Sequence, residues 1–273
     1  MKIAASDVNK LRQSTGVGMM DCKKALEESN GDFEKAVEIL RKKGQKVAAN
    51  RADRDSSEGA VIAKVSSDNS FGVIISLNCE TDFVAKNQDY IDLANQLADH
   101  ALNYKDLDSF INSDFNNMKV SDKLLEQTGI IGEKIELGAF KYLSATFVGS
   151  YIHAGNKIAA LTGLSKKFEK SAEVAKNISM QIAAMNPIAL NEDGVNQEII
   201  KKEIEIAKDQ LRQEGKPEEM LENIAKGKIK KFFKENTLLS QPFVRDNKVT
   251  VEQFLNSVES GLTATTFKRY SLG

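Results

Sequence analysis

Phe71-Gly72-Val73-Ile74-Ile75-Ser76-Leu77-Asn78-Cys79-Glu80-Thr81-Asp82-Phe83-Val84-Ala85-Lys86 is the stretch that decides the fold. Phe71, Val73, Ile75 and Leu77 alternate with period two and form the inward face of a strand. Upstream, Val61, Ala63 and Val65 alternate in the same way, and Ser67-Asp68-Asn69-Ser70 supplies a turn, so a β-hairpin is predicted. Downstream, Ile91, Ala94, Leu97, Ala98 and Ala101 recur at helical spacing from about Asp89. Between strand and helix lies Glu80–Lys86, with an acidic head, a large ring, and no glycine or proline to make an ordinary turn. Connections carry function more often than packing. An acidic-aromatic tip here therefore reads as an element inserted into a partner.

The same plan recurs further along. Tyr142–Ile152 is predicted as a strand, His153-Ala154-Gly155-Asn156 as a turn and Ile158–Leu164 as a second strand. A helix follows, with Ala172, Ala175, Ile178, Ile182 and Met185 on one stripe. Two hairpin-plus-helix units imply an α+β fold with a two-part core. The copies differ at one connection: twelve positions separate Leu77 from Asp89, against five from Leu164 to Glu169. The added length contains Asp82 and Phe83.

Residues 1–44 read as three short helices around a small core. Ser6 is the expected first cap; Cys22, Ala25, Leu26 and Ser29 share a face of the second; Asp32 caps the third, with Phe33, Ala36, Val37 and Leu40 inward. Residues 45–57 turn polar and read as a solvated linker, with a partly helical one left open. The core then divides into residues 58–140 and 141–273. Within the latter, residues 193–235 carry two helical stripes separated by Gly215-Lys216-Pro217, with glycine placed to end one helix and proline to start the next. This is a helical hairpin arm. A short helix near Thr250–Asn256 and a strand near Thr265–Tyr270 complete the reading.

Composition removes several function classes. The 273 residues hold 38 basic and 39 acidic side chains, a net charge of -1, without the basic excess of phosphate-backbone binders. No apolar run approaches the ~20 residues that span a bilayer, and Met1–Asp7 lacks a signal-peptide core, so a soluble, cytoplasmic protein is expected. The two cysteines, Cys22 and Cys79, and two histidines, His100 and His153, lack zinc-site spacing, and no phosphate loop or nucleophile elbow occurs. No cofactor, metal or catalytic residue is expected. A thiol enzyme built on Cys79 lacks a base and oxyanion donors. An interaction adaptor that binds without altering its partner is the competing class.

Thr15-Gly16-Val17-Gly18-Met19-Met20-Asp21-Cys22-Lys23-Lys24-Ala25-Leu26, followed by Gly31-Asp32, resembles the N-terminal signature of bacterial translation elongation factor Ts. Asn78–Lys86 resembles that family's second signature. Gly149-Ser150-Tyr151-Ile152-His153 and Gln241-Pro242-Phe243-Val244 are similar to further family segments, in the family's order. The resemblance implies a ubiquitin-associated-like (UBA-like) N-terminal domain, an α+β core and a coiled-coil arm. It implies a guanine-nucleotide exchange factor, not an enzyme, that acts on elongation factor Tu in its GDP-bound and nucleotide-free states. In the family an Asp-Phe pair intrudes beside the GTPase's nucleotide site and disturbs its magnesium and phosphate contacts. The matching residues are Asp82 and Phe83, flanked by Thr81 and Val84. The N-terminal contact set maps onto Arg12, Met19, Met20 and Lys23, the second core contact onto His153, and a further contact segment onto Ile131-Gly132. Direct nucleic-acid or membrane contact is not implied, and a homodimer or 2:2 complex stays open. Many members continue beyond the strand near Tyr270 into another helix, whereas this sequence ends at Gly273.

Overall fold

Helical spacing and two stop signals shape the start of the chain, for which a computed structural model describes residues 3–273. Helix α1 (Ala5–Thr15) buries Val8 and Leu11 and stops at Gly16, whose φ of 72° is a left-handed cap. Ser6 lies inside the first turn; Ala4 holds the cap position without a side-chain bond. Helix α2 (Met19–Glu28) buries Cys22, Ala25 and Leu26. Asp32 caps α3 (Phe33–Asn50), accepting the Lys35 N–H at 3.1 Å. Residues 45–50, expected as linker, continue this helix. The segment from Arg41 to Asn50 is rich in Lys, Gln and Ala, which favour helix, and the lone Gly44 does not end it.

Strands β1 (Glu58–Val65) and β2 (Phe71–Cys79) form the expected hairpin, with Ile62 opposite Ile75. The chain then forms α4 (Asp82–Ala85), α5 (Gln88–Ala101), α6 (Leu107–Ile111), a small hairpin of β3 (Asp114–Phe115) and β4 (Met118–Lys119), and α7 (Val120–Ile131). Strand β5 (Glu136–Ser144) returns to the other edge of β2, giving the order β1-β2-β5. The single strand expected over 142–152 is therefore two. The ladder breaks at Ala145-Thr146, where Ala145 donates to the Ser70 carbonyl at 3.1 Å and Val148 to that of Asn69. The chain thereby crosses to a second sheet, β10-β7-β6, built from β6 (Phe147–Ile152), β7 (Ile158–Leu164) and β10 (Ala264–Ser271). The boundary expected at 140/141 falls inside β5.

The layers run helix, sheet, sheet, helix. Ala60, Ile62, Val73, Ile75 and Leu77 pack towards α5. Val61, Ala63 and Ile74 face the other way and meet Val148, Ala159 and Leu161 of the second sheet. That sheet's outer face, with Ala160 and Leu164, is covered by α8 (Ser171–Met185). Val61 and Val73, each on an alternating face in the sequence, thus point to opposite sides. Helices α9 (Gln197–Gln213) and α10 (Glu218–Asn236) turn at Gly215 and Pro217 and pack chiefly on each other through Ala207, Leu211, Leu221 and Ala225. Strands β8 (Pro242–Phe243) and β9 (Asp246–Thr250) follow, then α11 (Val251–Val258), which opens with a Thr250/Gln253 capping box.

The N-terminal helices dock on the core through α3 and α7. At their crossing Gly44 faces Gly129 so closely that a Cβ on Gly129 would penetrate the Gly44 Cα, and one on Gly44 would lie 3.3 Å from the Gly129 Cα. Alanine normally improves a helix by up to about 1 kcal/mol over glycine. At this crossing overpacking should win. Gly129→Ala is expected to lose about 1–3 kcal/mol, read as a lower denaturant midpoint; an unchanged or raised midpoint would show that the contact yields freely.

Candidate functional site

Four residues cannot hold a helix by themselves, yet Asp82–Ala85 is a formed helical turn. Its cap is Thr81, whose Oγ1 accepts the Val84 N–H at 3.4 Å. Val84 and Ala85 pack against the first core cluster and anchor the inner side. Phe83 takes none of this shelter: its ring is 83% exposed, more than any other large apolar side chain among the described residues. Beside it, Asp82 pairs with Lys86 at 2.6 Å, and that hydrogen bond from the ammonium holds the Asp82 carboxyl below its ordinary range. The connection read from sequence as a loop is thus a one-turn helix that displays a ring.

Two carboxylates fix its base. Glu133 Oε2 accepts the N–H groups of Glu80 (3.1 Å) and Thr81 (3.0 Å), while Oε1 accepts the Thr81 hydroxyl at 2.7 Å. In return, Glu80 accepts the Lys134 N–H at 2.7 Å and takes Arg51 Nη1 against both of its oxygens at 2.8 Å. Partial burial works against ionisation of Glu80, but these donors outweigh it and leave its pKa lowered. Sequence reading missed Glu133 and Glu80 as structural groups and placed Arg51 in a solvated linker.

Phe83 and Val84 share a cleft of about 540 Å³ with Ile131 of α7 and with Ser14, Thr15 and Gly16 of the N-terminal helices. Gly132 caps α7 with φ 81°. Arg12, Met19, Met20 and Lys23 lie outside that lining, on the exposed surface of α1 and α2; Met19 and Met20 are 53% and 64% exposed. Two adjacent exposed methionines are poor core fillers and a good adaptable contact surface. His153 stands apart, exposed at the β6–β7 turn, with Nδ1 3.1 Å from the Tyr151 hydroxyl. That turn lies beside the start of β1, since Val61 donates to the Asn156 carbonyl at 2.7 Å. Thr81 differs from Phe83 in the motif because its hydroxyl is engaged within the chain.

The family model described as Elongation factor TS matches residues 80–273. The chain belongs to the elongation factor Ts family. Proteins of that name are similar along its whole length. The one from Christiangramia forsetii is 64% identical over 272 residues, covering 100% of this chain and 99% of the relative. That from Flavobacterium psychrophilum is 59% identical over 271 residues, covering 99% of each. That from Amoebophilus asiaticus is 50% identical over 276 residues, covering 100% of each. Elongation factor Ts membership assigns the chain a role in translation elongation.

Cys79 is fully buried in the same strand end, and burial pushes its thiol up to about 11. No group of three His, Cys, Asp or Glu among the described residues could hold a metal, and none of their helices is long and apolar enough to cross a membrane. Folded protein at pH 8 should leave Cys79 unalkylated by iodoacetamide, with labelling located by mass spectrometry after unfolding. Because the folded pKa lies above the ordinary value of 9.0, the unfolded chain loses this proton first. Stability from this group is complete below pH 9 and declines towards pH 11, as a falling thermal midpoint would report.

Proposed function

We propose that this elongation factor Ts family member is a guanine-nucleotide exchange factor for elongation factor Tu, and that the Asp82-Phe83 turn enters the GTPase beside its nucleotide and magnesium site. The observation that carries the reading is a large ring held almost wholly in water on a turn whose base is fixed. An apolar side chain displayed in this way contributes nothing to its own core and is available to fill a slot elsewhere.

Exchange needs no covalent step. The factor binds the nucleotide-free GTPase well and the loaded form poorly, and by linkage each ligand weakens the other equally. Burying one phenylalanine is worth about 1.5–3 kcal/mol, which equals roughly a ten- to hundredfold loss of nucleotide affinity. That is enough for a lever but leaves the docking itself to other contacts. Arg12, Met19, Met20 and Lys23 on α1 and α2, Ile131 and Gly132 at the end of α7, and His153 on the second sheet are the surfaces assigned to it. Asp82 brings negative charge to a site organised around Mg²⁺ and phosphate, where it competes with the ligands of the metal.

Phe83→Ala keeps the fold, because the ring supports nothing within this chain. It is expected to slow stimulated GDP release by tenfold or more, about 1.4 kcal/mol in the barrier. Stopped-flow release of fluorescent GDP from elongation factor Tu measures this. A variant as fast as the parent protein would exclude Phe83 as the lever, and binding without faster release would favour an adaptor.

A further inference from the structure

We infer that Glu133 is a positioning residue for the Phe83 tip, acting through Thr81, and that Glu80 and Arg51 extend the same hold to the end of α3. The inference rests on the exchange reading and names what makes its inserting element rigid.

Little in the tip itself holds it in place. Helix α4 has one turn, too short to persist alone. Phe83 makes no internal anchor, and the Asp82–Lys86 pair is solvent-exposed, where such pairs contribute little. What remains on the inner side is the packing of Val84 and Ala85, and on the N-terminal side the cap. The cap depends on Glu133. Both of its oxygens are spent on one two-residue segment: two backbone N–H groups and the hydroxyl that in turn receives the Val84 N–H. A hydroxyl that donates to a carboxylate keeps its lone pairs directed to the helix, so Glu133 orients the cap as well as the chain leading into it.

The arrangement is reciprocal. Glu80, the residue before that cap, gives one oxygen to the Lys134 N–H and both to Arg51. Each segment therefore offers a carboxylate to the other's backbone, and neither can shift without uncovering donors. Arg51 is the residue that follows α3, the helix that carries the N-terminal domain across α7. The exposed methionines and the exposed ring are thus tied to one frame. A ring that is already oriented when it meets its slot does not have to be ordered there.

Charge and geometry can be separated at this position. Glu133→Gln keeps the shape and the two backbone bonds, accepted by its carbonyl, and reverses only the third, its amide donating to the Thr81 hydroxyl, which has a second lone pair for the Val84 N–H. Glu133→Ala removes both acceptor oxygens and with them all three hydrogen bonds. In a titration of GDP release against factor concentration, Glu133→Ala is expected to lower the maximal rate on the order of tenfold, leaving the half-saturating concentration unchanged. Glu133→Gln should retain most of the rate. Adding Glu133→Ala to Phe83→Ala should cost less than the two single losses combined, since much of what a misaligned tip forfeits is the placement of the ring.

In the free protein, amide hydrogen exchange at Thr81–Ala85 should quicken in Glu133→Ala and not in Glu133→Gln. Equal loss in Gln and Ala variants would assign the effect to charge and overturn positioning, as would additive effects or unchanged amide protection. A parent protein that fails to accelerate GDP release would instead sink the exchange reading, and the amide measurement would still decide whether Glu133 holds the turn.

Discussion

Everything in this molecule is arranged around a hairpin that is buried on both sides. Strands β1 and β2 send Ile62, Val73, Ile75 and Leu77 to α5, and Val61, Ala63 and Ile74 to the second sheet. A strand with two dry faces must satisfy its backbone within the sheet, so β2 needs a partner on each edge. Strand β5 supplies the second edge and at once carries the chain across to the other sheet. The strand end at Cys79 is fixed by this double burial, as is the Tyr90 hydroxyl that donates to the Leu77 carbonyl at 2.7 Å. The Phe83 turn projects from that fixed point.

The turn shows how little covalent chain is needed to make a precise protrusion when its neighbours are rigid. Its inner residues are held by packing, its cap by a carboxylate from after α7, and its approach by a guanidinium from after α3. The same α7 carries Gly129, against which Gly44 brings the N-terminal helices. The contact surfaces proposed on α1, α2, the α7 end and the turn thus share a single scaffold. On the proposed exchange reading, flexibility between these points would dilute the force that each transmits to the others.

Period and punctuation in the sequence revealed the hairpins, the helices that cover them, the arm and the displayed ring, because each is written in neighbouring residues. The turn at Gly215-Lys216-Pro217 and the cap at Asp32 are local chemistry, and both lie where local rules put them. What local rules could not give is non-local. Glu133 and Glu80 look like ordinary surface carboxylates, and their mutual grip exists only after β5 returns to β2. Residues 142–152 read as one strand, yet the sheet-to-sheet crossing divides it, since the break is imposed by Ser70 and Asn69 far upstream. Arg51 follows a basic stretch whose charges look solvated, and only the fold brings it to Glu80.

Strand β7 is the middle of its sheet, but its two neighbours are made at very different times. Strand β6 is adjacent in sequence and pairs at once, whereas β10 lies after α8, the whole arm and α11. During synthesis, therefore, β7 waits with one unpaired edge while most of the C-terminal part of the chain emerges. Such an edge invites pairing with other chains, and late closure by distant residues is slow. The last strand is the element that ends this exposure. The same sheet that finishes the core is the one most open to misassembly on the way to it.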